Sequence, residues 1–213
     1  MKGWMRVLLW TTLVLGALVG VLRYWFVDFY QVPDEPSDPR AWANAPNLEP
    51  GDWVLVWRGG TPHGGDLVRC PDPYDPQRWL IGRVVGLPGD KIEWNETGLV
   101  MNNFRVRSSA CDKPARKVFS PDYNAEVELP CQGEEIGGSR HDTYSSLSMP
   151  AVPPLTVEAG KYWLLSDNRF LPWAHDSRVV GTVPVEACKQ RLMLRLWSKK
   201  GWSDDERRMT FLF

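Results

Sequence analysis

The sequence lacks an excess of charge of either sign, and it lacks the spaced cysteines and histidines of a metal site. The formal net charge of its 213 residues is −1, which argues against a nucleic-acid surface. Its four cysteines form no C-x-x-C pair, and His63, His141 and His175 lie far apart in the chain. We therefore expect no metal or other cofactor and no nucleic-acid partner, and we interpret each histidine as a loop or surface residue.

Long amphipathic helices are also missing, because no stretch after residue 28 repeats apolar residues at helical spacing. Glycine and proline are frequent instead, with 18 of each, which is typical of a body built from strands and turns. With 43% hydrophobic residues, the chain can bury one good-sized core and hardly two. The composition predicts an all-β fold preceded by one apolar helix.

The long apolar run lies near the first residue. Lys2 and Arg6 precede it, and residues 7–27 supply the ~20 residues that a helix needs to cross a bilayer. A cleaved secretory signal peptide shares the basic start and apolar centre. Here, however, Arg23 and bulky aromatic residues follow the run, where a small-residue cleavage site would stand. We favour a single-pass transmembrane anchor, with residues 1–6 in the cytoplasm by the positive-inside bias and the body outside.

The rest of the chain divides by composition into a leash and a body. Residues 28–50 contain five prolines and are predicted to be an extended leash. Residues 51–213 carry short runs of strand-forming residues between turns and are predicted to be an extracytoplasmic β-domain. Within it, residues 107–153 are polar with little periodicity and are predicted to be an irregular insertion.

The cysteines of an exported body are expected to form disulfides. Cys111 and Cys131 flank the polar stretch and are the better pair, and Cys70 with Cys188 could be the other. Four cysteines allow three pairings, among which the sequence does not choose.

Two segments make sharper structural predictions. Residues 99–106, with two asparagines at their centre, predict a β-hairpin. Residues 190–197 alternate between two sets of side chains and predict a strand with one buried face.

Three ordered segments carry a resemblance to a known family. Residues 46–56 read P-N-L-E-P-G-D-W-V-L-V and residues 81–90 read I-G-R-V-V-G-L-P-G-D. Residues 166–184 contain S-D-N-R and then D-S-R-V-V-G-T-V-P. In order, spacing and preceding apolar run, they resemble type I signal peptidases, the membrane-bound serine proteases that remove signal peptides from exported proteins. The resemblance spans roughly residues 1–106 and 155–190.

The resemblance implies a serine hydroxyl that is activated by a lysine amine. At the aligned positions of this sequence, however, neither a serine nor a lysine is present. The nucleophile position is Ala43, the oxyanion-helping position is Ala41, the lysine position is Gly82, and the lysine-orienting position is Ala174. The resemblance further implies a set of residues that support the former site: Arg83, Asp167, Asn168, Asp176, Ser177 and Arg178. Of these, Asp176 and Arg178 are expected to pair.

The resemblance therefore implies a catalytically degenerate member that binds signal peptides or exported polypeptides without cleaving them. Its expected home is the bacterial inner membrane, with the body in the periplasm. The expected partners are the lipid bilayer, exported proteins, and an active signal peptidase or the secretion machinery.

Two alternatives stay open. One is an active signal peptidase that uses displaced residues, for which Ser37 and Lys91 are the nearest serine and lysine. The other is a structural subunit of a membrane assembly whose cleft is filled by its own chain, an idea to which Trp42 points. A cluster of apolar residues, Phe170, Leu171 and Trp173, is expected to lie in the core.

Overall fold

The computed structural model describes residues 3–35, 38–95, 98–111, 116–120, 124–144, 152–170 and 175–212. Its helices are α1 (Gly3–Trp25) and α2 (Ser177–Val180), and 3-10 turns form at Pro39–Ala41 and Val185–Ala187. The strands in chain order are β1 (Val27–Gln31), β2 (Trp53–Trp57), β3 (Leu67–Pro71), β4 (Trp79–Gly86), β5 (Lys91–Asn95), β6 (Gly98–Met101), β7 (Phe104–Arg105), β8 (Arg107–Ala110), β9 (Arg116–Ser120), β10 (Ala125–Leu129), β11 (Cys131–Ile136), β12 (Ser139–Tyr144), β13 (Val152–Thr156), β14 (Lys161–Leu165), β15 (Val183–Pro184), β16 (Gln190–Trp197) and β17 (Thr210–Phe211). The all-β class with one N-terminal apolar helix is confirmed.

One eight-stranded antiparallel sheet organises the body. Its strand order is β1-β2-β16-β3-β4-β14-β15, and β17 pairs with β16 off this path. A four-stranded sheet in the order β13-β5-β6-β7, a three-stranded sheet in the order β12-β11-β8, and the β9–β10 pair complete the described strands. The chain crosses the large sheet several times, so residues distant in sequence meet along β4.

The buried core consists of separate clusters on the two faces of the sheet, because successive residues of a strand face opposite sides. In β3, Leu67 packs in one buried cluster while Val68 and Cys70 pack in another. The cluster on the β4–β14 side also buries Leu80 and Val84 at 1% and 0% exposure. The site described below therefore lies against a sheet that is packed on both faces.

Helix α1 runs directly into the sheet. It ends at Trp25, β1 begins at Val27, and β1 pairs with β2 along its whole length. The 23 residues of α1 extend about 34 Å, enough to cross a hydrocarbon core of about 30 Å. The predicted leash over 28–50 is therefore wrong at its start, since valine, phenylalanine and tyrosine favour the strand that β2 pairs with.

The predicted irregular insertion over 107–153 is also wrong for its described part. Strands β8, β11 and β12 form an antiparallel sheet there, and β9 pairs with β10. Their exposed faces are polar, so the strands lack the apolar alternation by which a sequence shows them. The overlooked signal is Gly137-Gly138, two residues with positive φ that turn the β11–β12 hairpin.

The structure gives the disulfide pairing, among the three that the sequence left open. Cys111 bonds to Cys131, and Cys70 bonds to Cys188 inside the core. The Asn102-Asn103 hairpin also forms, with φ of 51° and 68° at the two asparagines.

Strand β16 departs from the simple alternation that its sequence predicts. Register shifts between Leu192 and Leu194 and between Arg195 and Trp197 turn it relative to β2. As a result Leu192 and Arg195 are both buried, three residues apart. A bulge changes which face a side chain takes, so a two-residue period alone does not predict it.

The tip of the β11–β12 hairpin rests on the loop that precedes β3, and this contact is testable. Gly137 and Gly138 both have positive φ, so alanine at either should cost about 1–2 kcal/mol. A Cβ at Gly137 would also overlap the Gly64 backbone, whereas nothing lies within 4 Å of one at Gly138. We expect Gly137→Ala to lose about 1–3 kcal/mol more stability than the matched control Gly138→Ala, as measured by thermal unfolding in detergent. Equal losses would contradict the contact.

Candidate functional site

A short alanine-rich segment forms one wall of the site. Residues 41–45 follow the 3-10 turn, and Ala41 and Ala43 are 1% and 3% exposed. Several backbone bonds fix the segment; among them, the Ala43 amide donates to the Arg40 carbonyl at 3.3 Å, and the Asn168 amide donates to the Ala43 carbonyl at 2.8 Å. The segment is therefore fixed both by local backbone bonds and by a bond from the 167–168 turn.

The open edge of β4 forms the facing wall. Strand β3 pairs with residues 79–83 on one side, while β14 pairs only with residues 83–86 on the other. Val84 directs its amide and carbonyl toward residues 65–66, on the β3 side. By alternation, Trp79 and Ile81 direct their backbone groups away from β3, toward the alanine segment. Asn44 meets this edge, because its Nδ2 donates to the Ile81 carbonyl at 3.0 Å.

A cavity of about 320 Å³ lies between these two walls. The residues that line it come from 30–33, 38–48 and 77–81, with His175 added from the turn before α2: Tyr30, Gln31, Val32, Pro33, Asp38, Arg40, Ala41, Ala43, Asn44, Leu48, Gln77, Arg78, Trp79, Ile81 and His175. Trp42 is not among them. It packs on a separate cluster with Ala45, Leu129 and Tyr144.

Gly82, the predicted lysine position, faces away from this cavity. It shares a face of β4 with Leu80 and Val84, and its backbone is buried. A Cβ at Gly82 would lie 3.1 Å from the Leu164 Cβ and 3.3 Å from the Leu165 carbonyl oxygen. The structure therefore brings Ala41 and Ala43 together at the cavity and leaves no ordinary space for a side chain at Gly82. Ala174, Ser37, Leu171 and Trp173 lie outside the described residues.

A buried ion pair links β4 to the 167–168 turn. Arg83 Nε donates to Asp167 Oδ1 at 2.8 Å and Arg83 Nη2 donates to Asp167 Oδ2 at 2.7 Å, and both side chains are fully buried. Burial alone would raise the pKa of Asp167, but the Arg83 guanidinium outweighs it and holds that pKa below its ordinary value. Asn47 Nδ2 donates to the same carboxylate at 2.7 Å, so the pair also fixes the chain after the alanine segment.

Asp176 organises the third segment. Its carboxylate caps α2, accepts the Ser166 amide at 3.0 Å and the Ser166 hydroxyl at 2.7 Å, and pairs with Arg178 Nη2 at 2.7 Å. The Leu164 amide donates to Ser177 Oγ at 2.8 Å, which ties α2 to β14. Asp176 is fully buried, so this pair is part of the interior and not a solvated surface pair.

His141 is a correction to the expectation that each histidine is a surface or loop residue. It lies on β12, 4% exposed, with its Nε2 3.8 Å from Glu134 Oε2 and 4.0 Å from Asp167 Oδ1. Burial, with the nearby guanidinium of Arg83, lowers the pKa of His141 to about 2. Arg169 completes this buried group through a 2.8 Å bond to Glu134.

His175 and Asp72 form a pair that the sequence did not reveal. His175 Nε2 and Asp72 Oδ2 are 2.5 Å apart, Asp72 is 3% exposed, and His175 lines the cavity. The Tyr74 ring lies edge-on to the imidazole at 6.3 Å. Asp72 and His175 are 103 positions apart and belong to no common motif, so the sequence alone does not indicate that they meet.

Comparison with known proteins gives three findings. The model of the family described as signal peptidase, peptidase S26, matches residues 4–197. Signal peptidase I of Pseudomonas fluorescens is 27% identical over 172 residues, which cover 71% of this chain and 55% of that protein. Signal peptidase IB of Staphylococcus aureus strain Mu50 is 28% identical over 175 residues, covering 79% of this chain and 76% of that protein.

The chain thus spans about half the length of the Pseudomonas relatives that it matches. Among solved structures, a signal peptidase I from Enterococcus faecalis V583 aligns with a TM-score of 0.36 and 23% identity, covering 62% of this chain and 97% of that chain.

The buried His141 makes stability depend on pH. Because its folded-state pKa lies below the unfolded value of 6.5, the unfolded chain binds the extra proton between these values and stability falls as the pH drops below about 6.5. From pH 7 to pH 5 this one group should cost roughly 2 kcal/mol. His141→Gln should remove that part of the pH dependence in urea unfolding, while His63→Gln, at a residue whose side chain is 80% exposed, should not. An unchanged slope in His141→Gln would refute this assignment.

Proposed function

Because this chain belongs to the signal peptidase, peptidase S26, family, we propose that it is a membrane-anchored member that binds exported polypeptides in extended form without cleaving them. One observation carries the proposal. The cavity beside the edge of β4 is bordered by Ala41 and Ala43, and its described lining includes no serine, threonine, cysteine or lysine.

The absence of cleavage follows from what these side chains lack. Hydrolysis of a peptide by this family's chemistry needs a hydroxyl nucleophile and a nearby base to take its proton. The methyl group of Ala43 can do neither, and Gly82 offers no side chain at all. Losing both nucleophile and base removes several orders of magnitude of rate in comparable proteases.

Binding is supported by the shape and the open backbone of the cleft. Trp79 and Ile81 pair with β3 on one side, and on the other no described strand pairs with them, which is the kind of edge to which an extended peptide adds as a strand. The small side chains of Ala41 and Ala43 leave room for the peptide's own side chains in the adjoining cavity. Asn44 already satisfies the Ile81 carbonyl, so the added strand would pair with the Ile81 amide and with Trp79.

The setting in the cell follows from α1 and the family. We place residues 1–6 in the cytoplasm, the body on the outer side of a bacterial inner membrane, and α1 as an anchor that remains attached. The last point is supported by the single residue between α1 and β1, since a cleaved leader is not expected to run straight into a strand of the main sheet. Signal peptides and exported chains would meet the cleft there, beside an active signal peptidase or the secretion machinery.

The first test is cleavage. Purified full-length protein in detergent, mixed with a preprotein, should give no processing above buffer while an active signal peptidase processes it fully. We expect Ala43→Ser combined with Gly82→Lys to remain inactive as well, because a lysine at position 82 meets Leu164 and Leu165. Processing by the unaltered protein would refute the proposal.

The second test is binding. A signal peptide ending in A-x-A should slow hydrogen exchange of residues 79–82 and 41–45 in the full-length protein. Ala43→Leu, which fills part of the cavity, should weaken this protection, while Ala125→Leu makes the same change at an exposed position of β10 and should leave it unchanged. If the peptide protects nothing, binding fails and the role as a structural subunit gains support.

The Asp72–His175 pair favours one second candidate, an active endopeptidase with displaced residues. A carboxylate can orient an imidazole as a general base, and this imidazole lines the cavity. Such an enzyme would still need a nucleophile, and Ser37 is the nearest serine upstream of Ala43. If the unaltered protein cleaves, His175→Ala and Ser37→Ala should each abolish processing.

A further inference from the structure

A second feature lies at the opposite end of β1 from the cavity, where the membrane helix ends. Only Phe26 separates α1 from β1, so Asp28 lies within a few residues of the end of the apolar span. Tyr24 and Trp25, both exposed, occupy the last turn of α1, and such aromatic residues mark the headgroup region of a bilayer. This part of the body is therefore held at the membrane surface.

Three guanidinium groups converge there on one carboxylate. Arg23 Nη2 and Arg58 Nη2 lie 2.9 Å and 3.2 Å from Asp28 Oδ1, and Arg69 contacts Asp28 Oδ2. Among the ion pairs of the described residues, these three arginines have no other carboxylate partner. The pKa of Asp28 is lowered, since the bonds from Arg69 and Phe29 outweigh its burial, so the carboxylate is charged. The cluster carries a net charge of about +2.

The arginines are arranged to present donors outward. Arg69 is 4% exposed and holds Asp28 from inside the body, whereas the side chains of Arg23 and Arg58 are 48% and 34% exposed. Each exposed guanidinium is braced by a backbone carbonyl: Arg23 Nη1 donates to Val27 at 2.9 Å, and Arg58 Nη1 donates to Tyr24 at 3.3 Å. A guanidinium has five N–H donors, so each retains donors for a further anion.

An open groove connects these donors to the apolar span. It is lined by Gly20, Arg23, Tyr24, Trp25 and Arg58. Gly20, Arg23 and Tyr24 share one helix face by their i, i+3, i+4 spacing. Apart from α1 itself, none of the described residues lies within 4 Å of a Cβ built at Gly20, so among them the groove continues one turn into the span without obstruction.

We propose that this groove binds the headgroup phosphate of an anionic phospholipid, with Arg23 and Arg58 as its ligands. Planar guanidinium groups match phosphate oxygens in pairs, and basic residues at a bilayer surface each strengthen binding to anionic lipid. The continuation of the groove along Gly20 favours a lipid over free phosphate, because an acyl chain would occupy the part that enters the span. The site does not depend on what the cleft binds.

Native mass spectrometry of the full-length protein in neutral detergent tests this site. We expect one retained phosphatidylglycerol per chain, binding at least about tenfold more tightly than phosphatidylcholine. Arg23→Gln with Arg58→Gln should weaken phosphatidylglycerol binding about 10- to 30-fold, while the control Arg105→Gln with Arg107→Gln, on exposed strands, should not change it. Arg69 still pairs with Asp28 in the double variant, so its thermal unfolding should stay close to that of the unaltered protein.

A conservative variant and a competitor complete the design. Arg23→Lys with Arg58→Lys keeps the charge but loses the paired geometry, and we expect an intermediate loss of affinity even if the glutamine variant folds poorly. Millimolar inorganic phosphate should not displace the lipid. Equal retention of the two lipids, unchanged binding in both arginine variants, or displacement by inorganic phosphate would each overturn the proposal.

Discussion

The bidentate pair between Arg83 and Asp167 is the interaction on which the rest of the site depends. It is fully buried and joins the centre of β4 to the turn that clamps the alanine segment. Removing one partner of such a pair leaves an uncompensated charge inside the protein, which costs about 3–5 kcal/mol. The pair therefore sets the distance between the two walls of the cleft, whichever side chains those walls carry.

The same pair belongs to a frame that does not depend on the side chains lining the cleft. Asp167 also accepts from Asn47, and Asp176 ties Ser166 and α2 to β14 through separate bonds. None of these contacts involves the Ala43 side chain or residue Gly82. The side chain at position 43 is therefore independent of these bonds, whereas position 82 is packed directly against β14.

The sequence predicted the large-scale features well because they depend on local patterns. The length and apolarity of the N-terminal run, the asparagine turn at residues 102–103, and the ordered segments around Arg83 and Asp176 are each readable within about twenty residues. The structure also puts Ala41 and Ala43 on the lining of the cavity. Each of these cases needed no knowledge of a distant partner.

The failures share the opposite property. The polar strands β8, β11 and β12 have no apolar alternation, so their composition does not predict strands. They form because they pair with one another. The burial of His141 and the contact of His175 with Asp72 depend on which strands and loops become neighbours. The bulges in β16 likewise belong to its pairing with β2, which the β16 segment alone does not specify.

The short connection between α1 and β1 limits the distance between the cleft and the membrane-facing end of β1. The cavity is lined from Tyr30 onward, three residues along β1 from Val27, or about 10 Å at the rise of a strand. An exported chain bound as proposed above, and still held in the membrane by its own apolar segment, would have to span up to that distance to reach the cavity. A polar stretch of about three to five extended residues would suffice, and a shorter one would leave its segment below the opening.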